Sequence, residues 1–242
     1  MKLEDPYSYF SQIYSHLMSS VDYKFWADYI KEIHNTLGKK SDIALELAAG
    51  NCALASNLDN QFKELFVTDI SKQMLKNNVN GKLNKICCDM KMLPFNRKFN
   101  FIYSAFDSVN YLNDKTQLNE FFNNIKTNLY DDGLLLFDIS LRNNSIKHLK
   151  SLNRKGKYKN IKYKQKSTFD EDEQIHYNYV TLKLENGDII NEVHKQKIYD
   201  FYSYFDVLEN NSFYVLECFD AFTFDDATEN SDRVQFIVKR KN

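Results

Sequence analysis

Ile43-Ala44-Leu45-Glu46-Leu47-Ala48-Ala49-Gly50-Asn51-Cys52 opens the stretch that decides the fold, and Leu65-Phe66-Val67-Thr68-Asp69 closes it. An apolar run ends in an acid and small residues, turns at Gly50, and opens a short helical pattern. A second apolar run then ends in Asp69. This is half of a mononucleotide-binding α/β unit, in which ligands sit at the carboxyl ends of the strands. Gly50 and Asp69 both fall there.

Outward from this stretch the alternation continues. Strands are expected at Asp42–Leu47, Glu64–Val67, Lys85–Cys88, Phe99–Ala105 and Leu134–Ile139. Helices are expected over 52–60, Ser71–Val79 (stopped at Gly81) and Thr116–Tyr130, with a turn at Asp131-Asp132-Gly133. Strands alternating with helices imply a parallel sheet with right-handed crossovers. Residues 5–37 read as helical, with Val21, Phe25, Tyr29, Ile33 and Leu37 at four-residue spacing and Gly38 as a C′ residue. The aromatic segment before them (Tyr7, Phe10, Tyr14, Leu17, Met18) reads either as a helix covering the sheet or as a lid over a ligand pocket.

The pattern changes after residue 146. Nine Lys/Arg and no acid lie between Lys147 and Lys166, and residues 161–185 alternate as strands do. Asn186-Gly187 signals a hairpin whose return strand is Asp188–Ile198. Residues 147–199 therefore read as an antiparallel insertion. A helix at Asp200–Leu208 and strands at Phe213–Cys218 and Arg233–Val238 complete the chain.

Bulk composition bounds the rest. The chain has 242 residues, 43% hydrophobic, with net charge −1. It is long enough for a real core, and no global basic character points to nucleic acid or an anionic membrane. No apolar run approaches the roughly 20 residues of a membrane span, and the polar start lacks a signal-peptide core, so a cytoplasmic protein is expected. Cys52, Cys87, Cys88 and Cys218 have neither framework nor CxxC spacing and read as reduced. His16, His34, His148 and His176 show no ligand spacing, so no metal site is expected.

Five motifs in register carry a family resemblance. Leu45 to Cys52, Thr68-Asp69-Ile70-Ser71-Lys72-Gln73-Met74-Leu75, Cys88-Asp89-Met90 with Leu93-Pro94-Phe95, Phe106-Asp107-Ser108-Val109-Asn110-Tyr111-Leu112, and Leu129 to Asp138 resemble the motifs of class I S-adenosylmethionine-dependent methyltransferases. The resemblance covers roughly residues 40–140 and 200–242. It implies a Rossmann-like α/β sheet, mostly parallel with an antiparallel last strand, plus the antiparallel β insertion. Residues 1–146 and 200–242 would form the core with its N-terminal lid. Residues 147–199 would form an acceptor lid or dimer contact. Val21-Asp22-Tyr23 with Trp26 to Ile30, and His194 to Tyr199, further resemble a bacterial subfamily acting on small molecules.

The resemblance also implies residue roles. Gly50, with Ala48 and Asn51 beside it, would bring backbone against the methionine part of the cofactor, S-adenosylmethionine before transfer and S-adenosylhomocysteine after. Glu46 would face its ammonium. Asp69 would accept from both ribose hydroxyls, which needs an ionised carboxylate. Ile70 and Met74 would pack on adenine, with Asp89 on its amino group and Met90 over the ring. Ala105 and Phe106 would border the sulfonium methyl. The family usually has glycine where Ala48 and Cys52 stand; Ala48 should cost little, while Cys52 puts a side chain on the first helical turn. Cys52 and Ala55 also argue against a nicotinamide fingerprint.

Tyr14 and Tyr23, with Trp26 nearby, read either as closing over the cofactor or as aromatic core. Tyr111 reads as acceptor-pocket wall or as structural, and His194 as a general base or as pocket wall. An amine acceptor needs little more than alignment; a hydroxyl wants a base within reach. The basic run reads as a lysine-protected edge strand, with Asp170-Glu171-Asp172-Glu173 available to pair across the sheet, or as a contact for a phosphorylated acceptor or RNA. Three functions follow in order: methylation of N or O on a small molecule, methylation of RNA or protein through the insertion, and a non-catalytic cofactor-binding protein of the same fold.

Overall fold

The computed structural model describes residues 2–38, 43–78 and 83–241. Its chain order begins with strand β1 (Lys2–Glu4), helices α1 (Ser11–Leu17) and α2 (Tyr23–Leu37), and strand β2 (Ile43–Leu47). Helix α3 (Ala55–Leu58), strand β3 (Glu64–Asp69), helix α4 (Lys72–Lys76) and strand β4 (Asn84–Cys87) follow. Then come β5 (Phe99–Ser104), α5 (Lys115–Asn128), β6 (Leu129–Ser140) and α6 (Arg142–Ser151). Strands β7 (Arg154–Tyr158), β8 (Ile161–Asp170), β9 (Ile175–Lys183) and β10 (Ile189–Lys197) precede α7 (Phe201–Asn210), β11 (Phe213–Asp220) and β12 (Arg233–Arg240).

Two sheets result. The seven-stranded sheet has the order β11-β12-β6-β5-β2-β3-β4. Strands β6, β5, β2, β3 and β4 run parallel, and β12 is antiparallel to both β6 and β11. This is the expected mostly parallel Rossmann-like sheet. Its order reverses between β2 and β5, which places the ligand crevice at their carboxyl ends. Strand β5 carries apolar Phe99, Phe101, Ile102 and Tyr103 on both faces because both are covered. Phe99 and Ile102 join the cluster under α5 and α7, while Phe101 and Tyr103 join the one under α2. Leu118, Phe121, Phe122, Ile125 and Leu129 are all buried in the first cluster, as their helical spacing requires.

The second sheet has the order β1-β10-β9-β8-β7. Gly187 turns the β9–β10 hairpin at φ +90°, a conformation that favours glycine. Strand β1 pairs in parallel with β10, so the first residues belong to this sheet. That pairing was invisible locally, because three residues carry no period.

Several boundaries differ from expectation. Residues 5–37 form two helices, broken where Asp22 caps α2 by accepting from the Phe25 N–H at 2.9 Å. The buried stripe of α2 is Trp26, Tyr29, Ile30 and Ile33, and Phe25 is 51% exposed. Gly38 is extended (φ −83°, ψ 168°) rather than left-handed; a Cβ there would meet the His34 carbonyl oxygen at 2.6 Å. Residues 51–54 form turns, and the crossover helix is only α3. Asp131-Asp132-Gly133 is a bulge inside β6, where pairing with β5 jumps from Phe99–Leu129 to Phe101–Leu134. The proposed helix end at Val79 and Gly81, and the strand start at Asp42, lie outside the described residues. Lys147 to Ser151 finish α6 rather than begin a strand.

Candidate functional site

The turn after β2 has one backbone feature that decides its shape. Ala48, Gly50 and Cys52 have φ of +50°, +57° and +57°, three alternate residues in the left-handed region. Such a geometry costs an ordinary residue roughly 1–2 kcal/mol. Ala48 is therefore strained, contrary to the expectation that it costs little. Cys52 points into the core cluster with Ala44, Leu54 and Val67, fully buried, and burial pushes its thiol up to about 12. Its side chain stands before the helix, not on its first turn.

Asp69 closes the other side of the crevice. Its Oδ2 accepts from the Gly50 N–H at 2.8 Å and its Oδ1 from the Ser71 N–H at 2.7 Å. Each oxygen keeps acceptor capacity beyond these bonds. Burial raises the Asp69 carboxyl pKa. Met74 lies against the turn, where a Cβ on Gly50 would meet its Cε at 3.1 Å. Glu46 is buried beneath, accepting from the Tyr103 hydroxyl at 3.0 Å, and burial pushes its carboxyl up to about 8.

At the end of β5, Ala105 is buried, and Phe106 and Asp107 are both left-handed at φ +62° and +51°. Two consecutive residues are thus held in a strained conformation at the end of β5. Phe106 stacks on Trp26 at 4.1 Å, and Tyr23 tilts against Phe106 at 5.5 Å. Asp107 accepts from Arg233 at 3.0 Å and from Gln196 at 2.9 Å, and its N–H donates to Asp138 at 2.9 Å. Arg233 also bonds Asp138. Burial pushes the Asp138 carboxyl up to about 6, outweighing the pull of Arg233. Residues from β5, β6, β10 and β12 thus meet in one network.

The N-terminal segment roofs the crevice. Buried Glu192 on β10 accepts from the backbone N–H groups of Tyr7 (2.7 Å), Tyr9 (2.6 Å) and Phe10 (2.9 Å). This carboxylate caps α1 from another sheet. Asn77 donates to the Ser11 carbonyl at 2.8 Å and Asn51 to the Ser15 hydroxyl at 3.1 Å, so α1 also touches both cofactor-type loops. The Tyr7 and Tyr111 hydroxyls are 2.7 Å apart. The Tyr7 ring contacts Tyr14 at 6.0 Å and His194 at 4.6 Å.

Facing this cluster is a polar row on the inner side of the second sheet. Ser167, Asn178 and His194 lie opposite one another across β8, β9 and β10. His176 bonds Ser167 at 2.7 Å, and its ring approaches His148 at 5.8 Å. Burial pushes His176 down to about 4. His194 Nε2 is 3.4 Å from Glu192 but makes no hydrogen bond, and Asn178 Oδ1 and His176 Nδ1 are also buried without partners. Buried polar atoms are ordinarily satisfied, so three orphans in one row point to a ligand.

Of the residues singled out in the sequence, Glu46, Ala48, Gly50, Asn51, Asp69, Met74, Ala105, Phe106, Tyr14, Tyr23, Trp26, Tyr111 and His194 fall around this crevice. The surroundings of Ile70, Asp89 and Met90 are as follows. Ile70 is 67% exposed. Asp89 has both oxygens engaged by Lys91, with contacts of 2.8 and 2.7 Å. Met90 packs on the cluster under α5 and α7. Sequence reasoning missed roles for Asp107, Asp138, His176, Asn178, Glu192, Gln196 and Arg233. A signal existed: Glu192-x-His194-x-Gln196 and His176-x-Asn178 each put polar groups on one face of a strand.

Residues 44–133 match the family model described as a methyltransferase domain. YqeM of Bacillus subtilis strain 168, whose name assigns it provisionally to the methyltransferases, is 26% identical over 97% of both chains. An S-adenosylmethionine-dependent methyltransferase from Clostridium acetobutylicum superposes with a TM-score of 0.78 at 26% identity, covering 98% of this chain and 99% of its own. The domain match, the relative and the superposed structure together support a class I S-adenosylmethionine-dependent methyltransferase. The sugar N-methyltransferase KedS8 from Streptoalloteichus shares the methyltransferase fold over 96% of this chain and 93% of its own (TM-score 0.74, 13% identity). The residues of the methyltransferase fit its cofactor. Gly50 leaves a cradle without a Cβ, Asp69 holds free acceptor capacity for hydroxyls, and Glu46 is a buried carboxyl suited to a cation. Among the described residues, no helix is long and apolar enough to cross a membrane.

Proposed function

We propose that this enzyme methylates N or O of a small-molecule acceptor, with attack in line with the departing sulfur. The observation that carries the reading is the row of orphaned polar atoms on His176, Asn178 and His194, roofed by α1 and facing the end of β5. Buried polar side chains converging from β9 and β10 suit a small polar molecule better than a polymer. S-adenosylmethionine, when bound, supplies the electrophilic methyl. Gly50 and Asp69 would hold its methionine and ribose parts, Glu46 its ammonium, and Trp26 and Phe106 would wall the reacting end.

The chain's own work is alignment and exclusion of water. Tyr7, Tyr14 and α1 close the chamber, while Tyr111 and Asn178 orient the acceptor. His194 would be the base that takes a proton from a hydroxyl acceptor; an amine needs only its lone pair presented. The sugar N-methyltransferases of this fold favour an amino or hydroxyl group on a polar ring. Solvent-excluded orphans favour this over the RNA, protein and non-catalytic readings.

The test combines calorimetry with product analysis. Wild type should bind S-adenosylhomocysteine, and Asp69→Ala should weaken it about 10- to 100-fold, the loss expected for hydrogen bonds to a charged acceptor. Mass spectrometry after incubation with cofactor and a library of polar amines and alcohols should show one methylated class. Folded wild type that binds no S-adenosylhomocysteine would sink the reading, as would binding without any methylated small molecule.

A further inference from the structure

We propose that the outward face of the five-stranded sheet docks single-stranded RNA. Seven exposed lysines share that face: Lys155 and Lys157 on β7, Lys162, Lys164 and Lys166 on β8, Lys183 on β9 and Lys195 on β10. Their register places like charges directly opposite. Lys155 faces Lys164, and Lys157 faces Lys162, which faces Lys183. Such pairs destabilise a sheet. Protection of the edge against aggregation accounts for lysine on β7, which is the edge, but not for lysine on the interior strands β8 and β9.

Nearby acids among the described residues make no ion pair with the patch. Glu171 pairs with Arg142, the Asp170 carboxylate accepts from the Asp172 and Glu173 N–H groups, and Glu173 accepts from the Tyr177 hydroxyl. The expected pairing of Asp170–Glu173 with the basic run is therefore absent. Among the described residues, none of the seven lysines makes an ion pair.

Aromatic rings adjoin the charge. Tyr177 and Tyr179 stack at 5.9 Å and 13°, Tyr179 lies opposite Lys166 and is 40% exposed, and Lys195 sits 5.6 Å over the Tyr177 ring. Phosphate-neutralising cations interleaved with exposed ring faces suit unpaired bases on a polyanionic backbone. A duplex offers no free base faces, an acidic peptide has no use for flat rings, and RNA is the nucleic acid ordinarily presented unpaired. A second copy stacked here would bring lysine against lysine. Strand alternation puts this face opposite the row of Asn178 and His194, so a bound strand is held beside the methyl-transfer site and not presented to it. The inference is independent of the acceptor reading.

The test is fluorescence anisotropy with a labelled polyuridine of about 15 nucleotides, near the upper site size of such surfaces. Wild type should bind with an affinity falling steeply with salt, by about 0.7 log per phosphate neutralised. Lys155→Gln, Lys164→Gln and Lys166→Gln combined should lose at least about ten-fold and flatten the salt slope by about 2. Tyr179→Ala should lose about ten-fold with an unchanged slope, as loss of one stacked base predicts. Binding of S-adenosylhomocysteine should be the same in all, reporting intact folding. No binding by wild type at low salt would overturn the proposal. So would an unchanged triple variant, or binding to phosphatidylserine vesicles in place of RNA.

Discussion

On the proposed function, the two sheets of this enzyme would recognise their ligands by different means. The seven-stranded sheet presents mostly backbone and two acids: the left-handed turn at 48–52, Asp69 and buried Glu46. The five-stranded sheet presents side chains that converge from separate strands, His176 and Asn178 on β9 and His194 on β10. A backbone device needs contiguous residues, so it leaves a motif. A chamber wall needs only register, and many residue choices satisfy it. The contrast explains why the cofactor class is legible and the acceptor is not.

The seam between the sheets offers the largest test. Arg233 bridges Asp107 and Asp138, and Gln196 joins from the insertion. Arg233→Leu leaves two buried carboxylates facing each other, and should cost about 3–5 kcal/mol at pH 7 in urea denaturation. The defect should shrink near pH 5, because Asp138, already raised to about 6, takes up a proton. Equal defects at both pH values would mean that the seam is held by packing.

Glu192→Ala comes next. Three backbone donors lose one acceptor, and a loss of about 2–3 kcal/mol is expected. Limited proteolysis should then cut between residues 5 and 20 while the seven-stranded sheet stays protected. Uniform proteolysis would merge the two sheets into one cooperative unit.

Glu46 gives a slope instead of a step. Its carboxyl ordinarily titrates at 4.5 and is pushed to about 8 in the fold. Between these values the folded state keeps a proton that the unfolded state releases, so rising pH removes stability across that window. The ligand-free enzyme should lose thermal stability from pH 5 to 8, and Glu46→Gln should flatten that trend. An unchanged trend in the variant would assign it to Asp69 or Asp138.

Ala48→Gly is the smallest effect. It relieves a left-handed alanine, against the extra freedom of glycine in the unfolded chain, and a gain of at most about 1 kcal/mol is expected by thermal melting. A loss would show that the Ala48 methyl packs usefully in the turn.

Legibility followed the same division. The parallel strands, Gly50, Asp69 and the hairpin at Asn186-Gly187 were readable because local chemistry dictates each. The break at Asp22 was missed because apolar spacing runs through it, and β1 because its partner lies almost 190 residues away. Arg233 and Asp107 carried no signal, since 126 positions separate two groups whose only link is the fold. The strain at Phe106 and Asp107 was hidden because neither residue type advertises a positive φ.

The Glu192 cap has a consequence for synthesis. The roof of the cofactor crevice leaves the ribosome first, yet the carboxylate that fastens it arrives more than 180 residues later. The strands bearing Gly50 and Asp69 are translated in between. A growing chain therefore carries its cofactor loops before its lid has an anchor, and the enclosed chamber is a late event in its biogenesis.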